Sequence, residues 1–301
     1  MNQTASKMKN SAIQGALFMV LAALAFAGVN AANQYSQQFN GVSAPAVAFF
    51  QYLFALIFAL PWIWREGRKA LATNHLRWHI LRVILSAVGV QAFVSAFAVM
   101  PIPQIIALVM ISPFFVIAGA ALFLGEKVTG TRIMATIVAF SGALIILEPW
   151  SSAFTWSALL PVLAAFVWAG ASLITKFLTR DEKPATITVY LLLLLTPINL
   201  AFYAGSGFAV PAGSAFALLV GLGIVTALAQ YFMTRAYAAA DAAYLQPFDD
   251  LKLPINTLAS WIVFAYAPTV SFWPGAALIV SASLYIAFVE NKNKKQAKLA
   301  A

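Results

Sequence analysis

The sequence predicts an all-α membrane protein: ten transmembrane helices in two inverted five-helix repeats around a central cavity. Three observations predict it. Hydrophobic residues make up 62% of the 301 and charged residues only 9%, against about 25% charged in an ordinary soluble domain. Such a composition cannot cover a soluble protein of this size with polar surface. Ten apolar segments follow one another, each long enough to cross a hydrocarbon core of about 30 Å. The chain also writes nearly the same nonamer twice, VLAALAFAG from Val20 to Gly28 and VLAAFVWAG from Val162 to Gly170.

The first span, 12–32, opens behind Lys7 and Lys9. Lys7, Lys9, the apolar run and Ala25-Phe26-Ala27 also have the layout of a secretory signal. The spans that follow and the repeat argue that the segment is retained. Near its far end stand Asn30, Asn33, Gln34 and Gln37, read as a solvated mouth or a cavity wall. The second span, 46–64, follows the breaker Asn40-Gly41. The third, 79–99, carries Gln91 and Ser95. The fourth, 103–124, starts after Pro101-Ile102-Pro103 and contains Pro113. The fifth covers 132–148, and the sixth, 155–175, holds the second nonamer. The seventh, 185–204, ends at Gly205-Ser206-Gly207 and Pro211. The eighth, 214–235, leads a stripe of Thr226, Gln230 and Tyr237. The ninth, 243–265, and the tenth, 272–289, complete the set. The division is 1–148, 149–290 and a basic tail at 291–301.

Charge placement orients the chain. Of the 18 Lys and Arg residues, all but Lys252 fall at the N-terminus, in the tail, or in and beside the 2–3, 4–5, 6–7 and 8–9 connections. The opposite connections hold no Lys or Arg, and their only charge is Glu148. The positive-inside rule puts both termini in the cytoplasm. This accounts for the net charge of +9 without a nucleic-acid partner. The expected partners are membrane lipid and a small solute, and the expected state is a monomer in a bacterial inner membrane.

The repeat extends beyond the nonamers. Ala96-Phe97-Ala98 answers Ala236-Tyr237-Ala238, and Pro113 answers Pro254. Each unit has an odd number of spans, so the second copy is inverted relative to the first. Inverted halves can open to either side of one fixed site, which is the logic of secondary transporters. Small residues in the nonamers let helices approach closely, because packing drives association in lipid. Phe26 and Trp168 hold equivalent positions and serve either as packing or as cavity lining.

Paired interruptions point to a transporter's binding region. Pro113 and Pro254 each lie roughly 17 Å into a span at 1.5 Å per residue, so both are candidate hinges. Pro254 cannot donate to Asp250, whose carbonyl it leaves free. The ninth span also holds Asp249, Asp250 and Lys252, the charges placed deepest in a span. On a helical wheel Asp249, Lys252, Asn256 and Ser260 form one stripe. Asp250 lies about 100° away, nearer Gln246 and Thr257. Intramembrane charges face an interior or a water-filled cavity, and Asp249 and Lys252 are spaced to pair. That pair is either part of a binding site or a self-neutralised structural pair. The candidate cavity residues are Gln91, Ser95, Trp168, Gln230, Tyr237, Asp249, Lys252 and Asn256. Spans 1, 3, 4, 6, 8 and 9 should surround the cavity, with the other four peripheral. Tyr231 and Tyr244 add rings to those helices. Trp62, Trp64, Trp78, Trp150, Trp156 and Trp273 sit near span ends as an interfacial belt.

There is no cysteine, so thiolate catalysis and disulfides are excluded. No phosphate loop, HExxH or nucleophile elbow occurs, and the chain does not read as an enzyme. No cofactor or metal is expected. His75 and His79 could share a metal by spacing, but they sit in a basic loop without a nearby carboxylate ligand.

The run SPFFVIAGAALFLGEKVTGTRIMATIVAFSGALII, Ser112 to Ile146, resembles the end of a repeat in EamA-type drug/metabolite transporters. Its span-4 proline, Gly125-Glu126 and glycine-bearing fifth span carry the likeness. LQPFDDLKLPI resembles the second-repeat counterpart. The resemblance covers essentially the whole chain and is similar above all to the branch exporting aromatic amino acids and bulky cations such as methyl viologen. It implies export of small amphipathic metabolites by alternating access, the rival being a passive pore. One departure is Tyr266-Ala267, where the second repeat often has Gly-Glu, so no symmetric role for that glutamate is possible here.

Overall fold

The computed structural model describes residues 2–67, 72–124, 129–152, 154–178, 181–182, 184–240 and 242–300, and no strand occurs among them. Gly125-Glu126 lies outside the described residues. Among the described residues, twelve α-helices carry the chain across the bundle. They are α1 Asn2–Gln38, α2 Ala44–Glu66, α3 Leu76–Ala96, α4 Ile102–Val109, α5 Ser112–Leu124 and α6 Gly130–Leu147. The second half holds α7 Leu160–Leu178, α8 Pro184–Gly205, α9 Gly213–Ala239, α10 Ala242–Asp249, α11 Lys252–Phe264 and α12 Phe272–Ala300. A 3₁₀ turn, Trp156–Leu159, leads into α7.

The helices form ten spans because the fourth is α4 plus α5 and the ninth is α10 plus α11. Nine segments among the described residues are long and apolar enough to cross a membrane. The ninth span falls outside that set because Asp249, Asp250 and Lys252 place three charges within it; like the fourth, it is divided into helices of 8 and 13 residues. Both breaks lie just ahead of the paired prolines. Pro113 is the second residue of α5, and Pro254 is the third of α11. A ring in place of N–H removes one ladder bond, and the chain relieves the clash by breaking rather than by bending. The ninth span is therefore not the continuous helix that 243–265 implied. The carbonyl of Asp250 is not left free either, since Leu253 N donates to it at 3.2 Å. The terminal helices are also longer than read, and α12 runs on through the basic tail.

The closest helix pairings repeat under exchange of the halves. α1 packs on α9, and its counterpart α7 packs on α3. α6 meets α12 and α2 meets α8, each pair its own counterpart, and the divided fourth and ninth spans meet through α4 and α11. The α6–α12 crossing shows why: a Cβ added to Gly142 would stand 2.6 Å from Gly275 O, and one added to Gly275 would stand 2.6 Å from Gly142 O. Only two glycines allow that backbone approach, which lipid-embedded packing favours.

Two apolar cores flank the centre. One joins α4, α5, α6 and α12 around Phe114, Ile105 and Phe272. The other joins α2, α3, α8 and α9 around Phe50, Tyr203 and Leu219. Trp64, Trp150, Trp156 and Trp273 are exposed at span ends. Trp78 instead leans on Phe177, their rings 5.2 Å apart.

Candidate functional site

Between the two cores lies a cavity of about 600 Å³, within the range of small-molecule sites. α1 supplies Phe26 and Asn30, α3 supplies Arg82, Ser86 and Phe93, and α7 supplies Trp168 and Ser172. α9 contributes Thr226, Gln230 and Tyr237, and the ninth span contributes Asp249, Lys252 and Asn256. Gln51 and Tyr52 of α2 and Leu191 and Leu195 of α8 also reach it. The expectation that the second and seventh spans stay peripheral is thus corrected. Their small-residue crossings bring them inward: a Cβ on Gly223 of α9 would meet Phe54 Cβ of α2 at 2.2 Å.

The ring wall is built by a close approach. Trp168 fills the space above Gly89, where an added Cβ would stand 2.3 Å from the indole nitrogen. Trp168 Nε1 donates to Ser86 O at 3.3 Å, and its ring is 5.3 Å from that of Phe93. Tyr231 and Tyr244 do not line this cavity; both are exposed on the outer surface of the bundle.

The charges follow the helical wheel. Lys252 Nζ donates to Asp249 Oδ2 at 2.7 Å, and Asn256 Nδ2 donates to Lys252 O at 2.6 Å. Asp250 turns away to accept from Gln246 Nε2 at 3.0 Å. Six of the eight candidates, Trp168, Gln230, Tyr237, Asp249, Lys252 and Asn256, come together on this one cavity. Gln91 and Ser95 do not line it. Gln91 Nε2 instead ties α3 to α8 by donating to Asn199 Oδ1 at 2.8 Å.

Arg82 was not among the candidates. It is buried, and its Nη2 donates to Ile187 O at 2.7 Å while Nε has no partner. The sequence signal was its position six residues into α3, which read as the last of the basic loop charges. Nearby, the imidazole of His79 lies 2.5 Å from Glu182 Oε2, and Thr73 donates to the other oxygen. His75 lies 3.4 Å from Asp181. The carboxylates that the loop seemed to lack come from the 6–7 connection. No cluster of three or more metal-type ligands occurs among the described residues.

The end of the cavity away from the termini is shut by amides. Asn30 Nδ2 donates to Asn256 Oδ1 at 2.9 Å, and Gln34 Oε1 accepts from Ile102 N at 3.2 Å. Gln37 and Gln38 donate to Val94 O at 2.7 Å and Phe97 O at 3.0 Å. Asn30, Asn33 and Gln34 are all buried, so this group is a seal rather than a solvated mouth.

A ten-span bundle with exchangeable halves, one central amphipathic cavity and one sealed end defines a membrane transporter. The EamA-like transporter model matches residues 13–148. A riboflavin transporter of Rhizobium johnstonii is 53% identical over 299 residues, covering 99% of this chain and 98% of its own. The chain belongs to the EamA-like transporter family. A riboflavin transporter of Vibrio cholerae is 45% identical, covering 96% of this chain and 98% of its own. An S-adenosylmethionine uptake transporter of Rickettsia felis is 29% identical over 82% of this chain and 83% of its own. A solved protein structure aligns over 95% of this chain and 98% of its own with a TM-score of 0.60 at 14% identity, a likeness of fold alone.

Proposed function

We propose that this protein is a secondary transporter of riboflavin, working by alternating access in a bacterial inner membrane with both termini in the cytoplasm. The observation that carries the reading is the near full-length, 53% identical match to a riboflavin transporter. The same relatives set aside the aromatic amino acid and methyl viologen branch. Of that expectation the proposal keeps a bulky amphipathic solute in a cavity that holds rings.

The cavity supplies what riboflavin asks for. Its isoalloxazine is flat and stacks on Trp168, Phe93 and Phe26. The pyrimidinedione edge offers carbonyl acceptors, and the Arg82 guanidinium on the cavity wall is a charged donor for them. The ribityl hydroxyls need amide and hydroxyl partners, which Asn30, Thr226, Gln230 and Asn256 offer. Gln91 acts through the packing of α3 on α8. Asp249 and Lys252, held to each other, line the side nearest the termini, and the breaks ahead of Pro113 and Pro254 let the fourth and ninth spans hinge. Reversible halves carry solute in whichever direction the gradients favour, so neither import nor export is built into the fold.

Flavin fluorescence tests this. Titrating purified protein into riboflavin should quench its emission through stacking on Trp168, and Trp168→Leu should abolish most of the quench. Tryptophan and methyl viologen should displace riboflavin only weakly. Displacement by tryptophan at concentrations similar to riboflavin's would restore the amino acid reading.

A further inference from the structure

Beside the central cavity lies a second recess of about 470 Å³, walled by α5, α7, α9, α12 and the ninth span. Asp250 stands on its wall and is 95% buried by the figure of 5% exposure. Its Oδ1 accepts from Gln246 Nε2 at 3.0 Å and Ser283 Oγ at 3.4 Å. Its Oδ2 is buried with no partner. The nearest cation, Lys252, is committed to Asp249 at 2.7 Å. We infer that Asp250 is a proton-binding site that couples transport to a pH gradient, its proton carried on the unpartnered Oδ2.

The geometry favours this over a structural carboxylate. A full charge in this position has two neutral donors on one oxygen and nothing on the other, and burying an under-compensated charge is costly. A proton on Oδ2 removes that charge while leaving both existing bonds to Oδ1 intact. Among the described side chains, the one cation beside it on its own span is Lys252, already held by Asp249. On its own span stand Asp249 and Lys252, and α9 adds Tyr237. Arg235 of α9 is turned to the rings of Phe18 and Tyr231. α1 carries no charged residue between Ile13 and Gln38, and α4 and α5 carry none between Ile102 and Leu124. On α12 the charged residues begin only at Glu290, and Tyr285 is exposed.

Asp250 also sits in the break between α10 and α11, where the ninth span can change its bend as access alternates. The recess and the central cavity share Val109, Ser112, Ser172, Tyr237, Asp249 and Lys252 as a common wall. Movement of that wall by solute therefore alters the packing around the Asp250 carboxyl, and proton binding alters the bend. Ionic sites at the breaks of discontinuous helices are how many carriers couple.

The inference rests on riboflavin being carried, so two assays in the same proteoliposomes separate the claims. Counterflow exchange of labelled riboflavin at equal pH tests carriage. Accumulation against a riboflavin gradient under an imposed pH difference tests coupling, in whichever polarity drives it. Wild type should do both. Asp250→Asn should keep exchange within about twofold and lose gradient-driven accumulation, and Asp250→Glu should keep both. Wild-type exchange without any effect of the pH difference would overturn the coupling, as would accumulation in Asp250→Asn or accumulation driven by sodium at equal pH. Absence of exchange in wild type would instead overturn riboflavin carriage. Infrared difference spectra across a pH step need no flavin. They should show a protonated carboxyl band in wild type that disappears in Asp250→Asn, and its presence in a folded variant would contradict the assignment even where exchange is too weak to read.

Discussion

Arg82 and Lys252 are the two cations that the central cavity contains, and they are held differently. Lys252 is neutralised by Asp249, whereas Arg82 is anchored by Nη2 on Ile187 O and Nη1 on Thr175 Oγ1, with Nε left over. A hydrogen bond from a charged donor contributes about 1.5–3 kcal/mol, or roughly 10- to 150-fold in affinity. Arg82→Gln should therefore weaken riboflavin binding by at least tenfold in a quench titration while leaving the melting temperature in detergent within a few degrees. Asp249→Asn should cut the initial transport rate more than it cuts folded protein, and Lys252→Ala should behave alike because it strands Asp249. Loss of folded protein in proportion to lost rate would mark the pair as structural. The pairing of Asp249 with Lys252, and the turn of Asp250 to Gln246, follow from the 100° step of a helix and were legible in the sequence. Arg82 was not, because burial six residues into a span cannot be told from a snorkelling loop charge by spacing alone. Gln91 was not either: the rotation of α3 is set by its packing on α7 and α8, and it aims this amide at Asn199.

At the scale of elements, two features set the working of the cavity: glycine-made approaches and the amide seal. Gly89→Leu would drive a side chain into the Trp168 indole. Overpacking of this kind costs about 1–3 kcal/mol, so it should displace the ring and reduce flavin quenching more than Gly221→Leu, at a site where nothing stands within 4 Å. The seal at the far end consists of individually modest bonds, each about 1 kcal/mol net. Removing two, with Gln37→Ala and Gln38→Ala, should shift the access equilibrium roughly 30-fold towards the far-side-open state. The chain has no cysteine, so a single Ser86→Cys can report this. Its labelling by an impermeant maleimide from the far side should quicken several-fold in the double variant. The sequence marked Pro113 and Pro254 as interruptions, but not that both spans part into two helices. Breaking rather than bending depends on neighbours that take over the freed backbone groups.

Across the whole molecule, the ten-span count, the exchange of halves and the single central cavity were all present in one sequence. The hydropathy pattern, the one-sided basic charge and the doubled nonamer carry them. The solute was not present in the same way, because flat amphipathic molecules of different families ask the same rings and amides of a cavity. Counterflow separates an alternating-access carrier of riboflavin from a pore. Vesicles preloaded with unlabelled riboflavin and diluted into a trace of labelled riboflavin should show a transient overshoot of label. Preloading with tryptophan should give none. A flat approach to equilibrium, unchanged by riboflavin preloading, would describe a passive pore and contradict the account, and an overshoot with tryptophan alone would contradict its substrate.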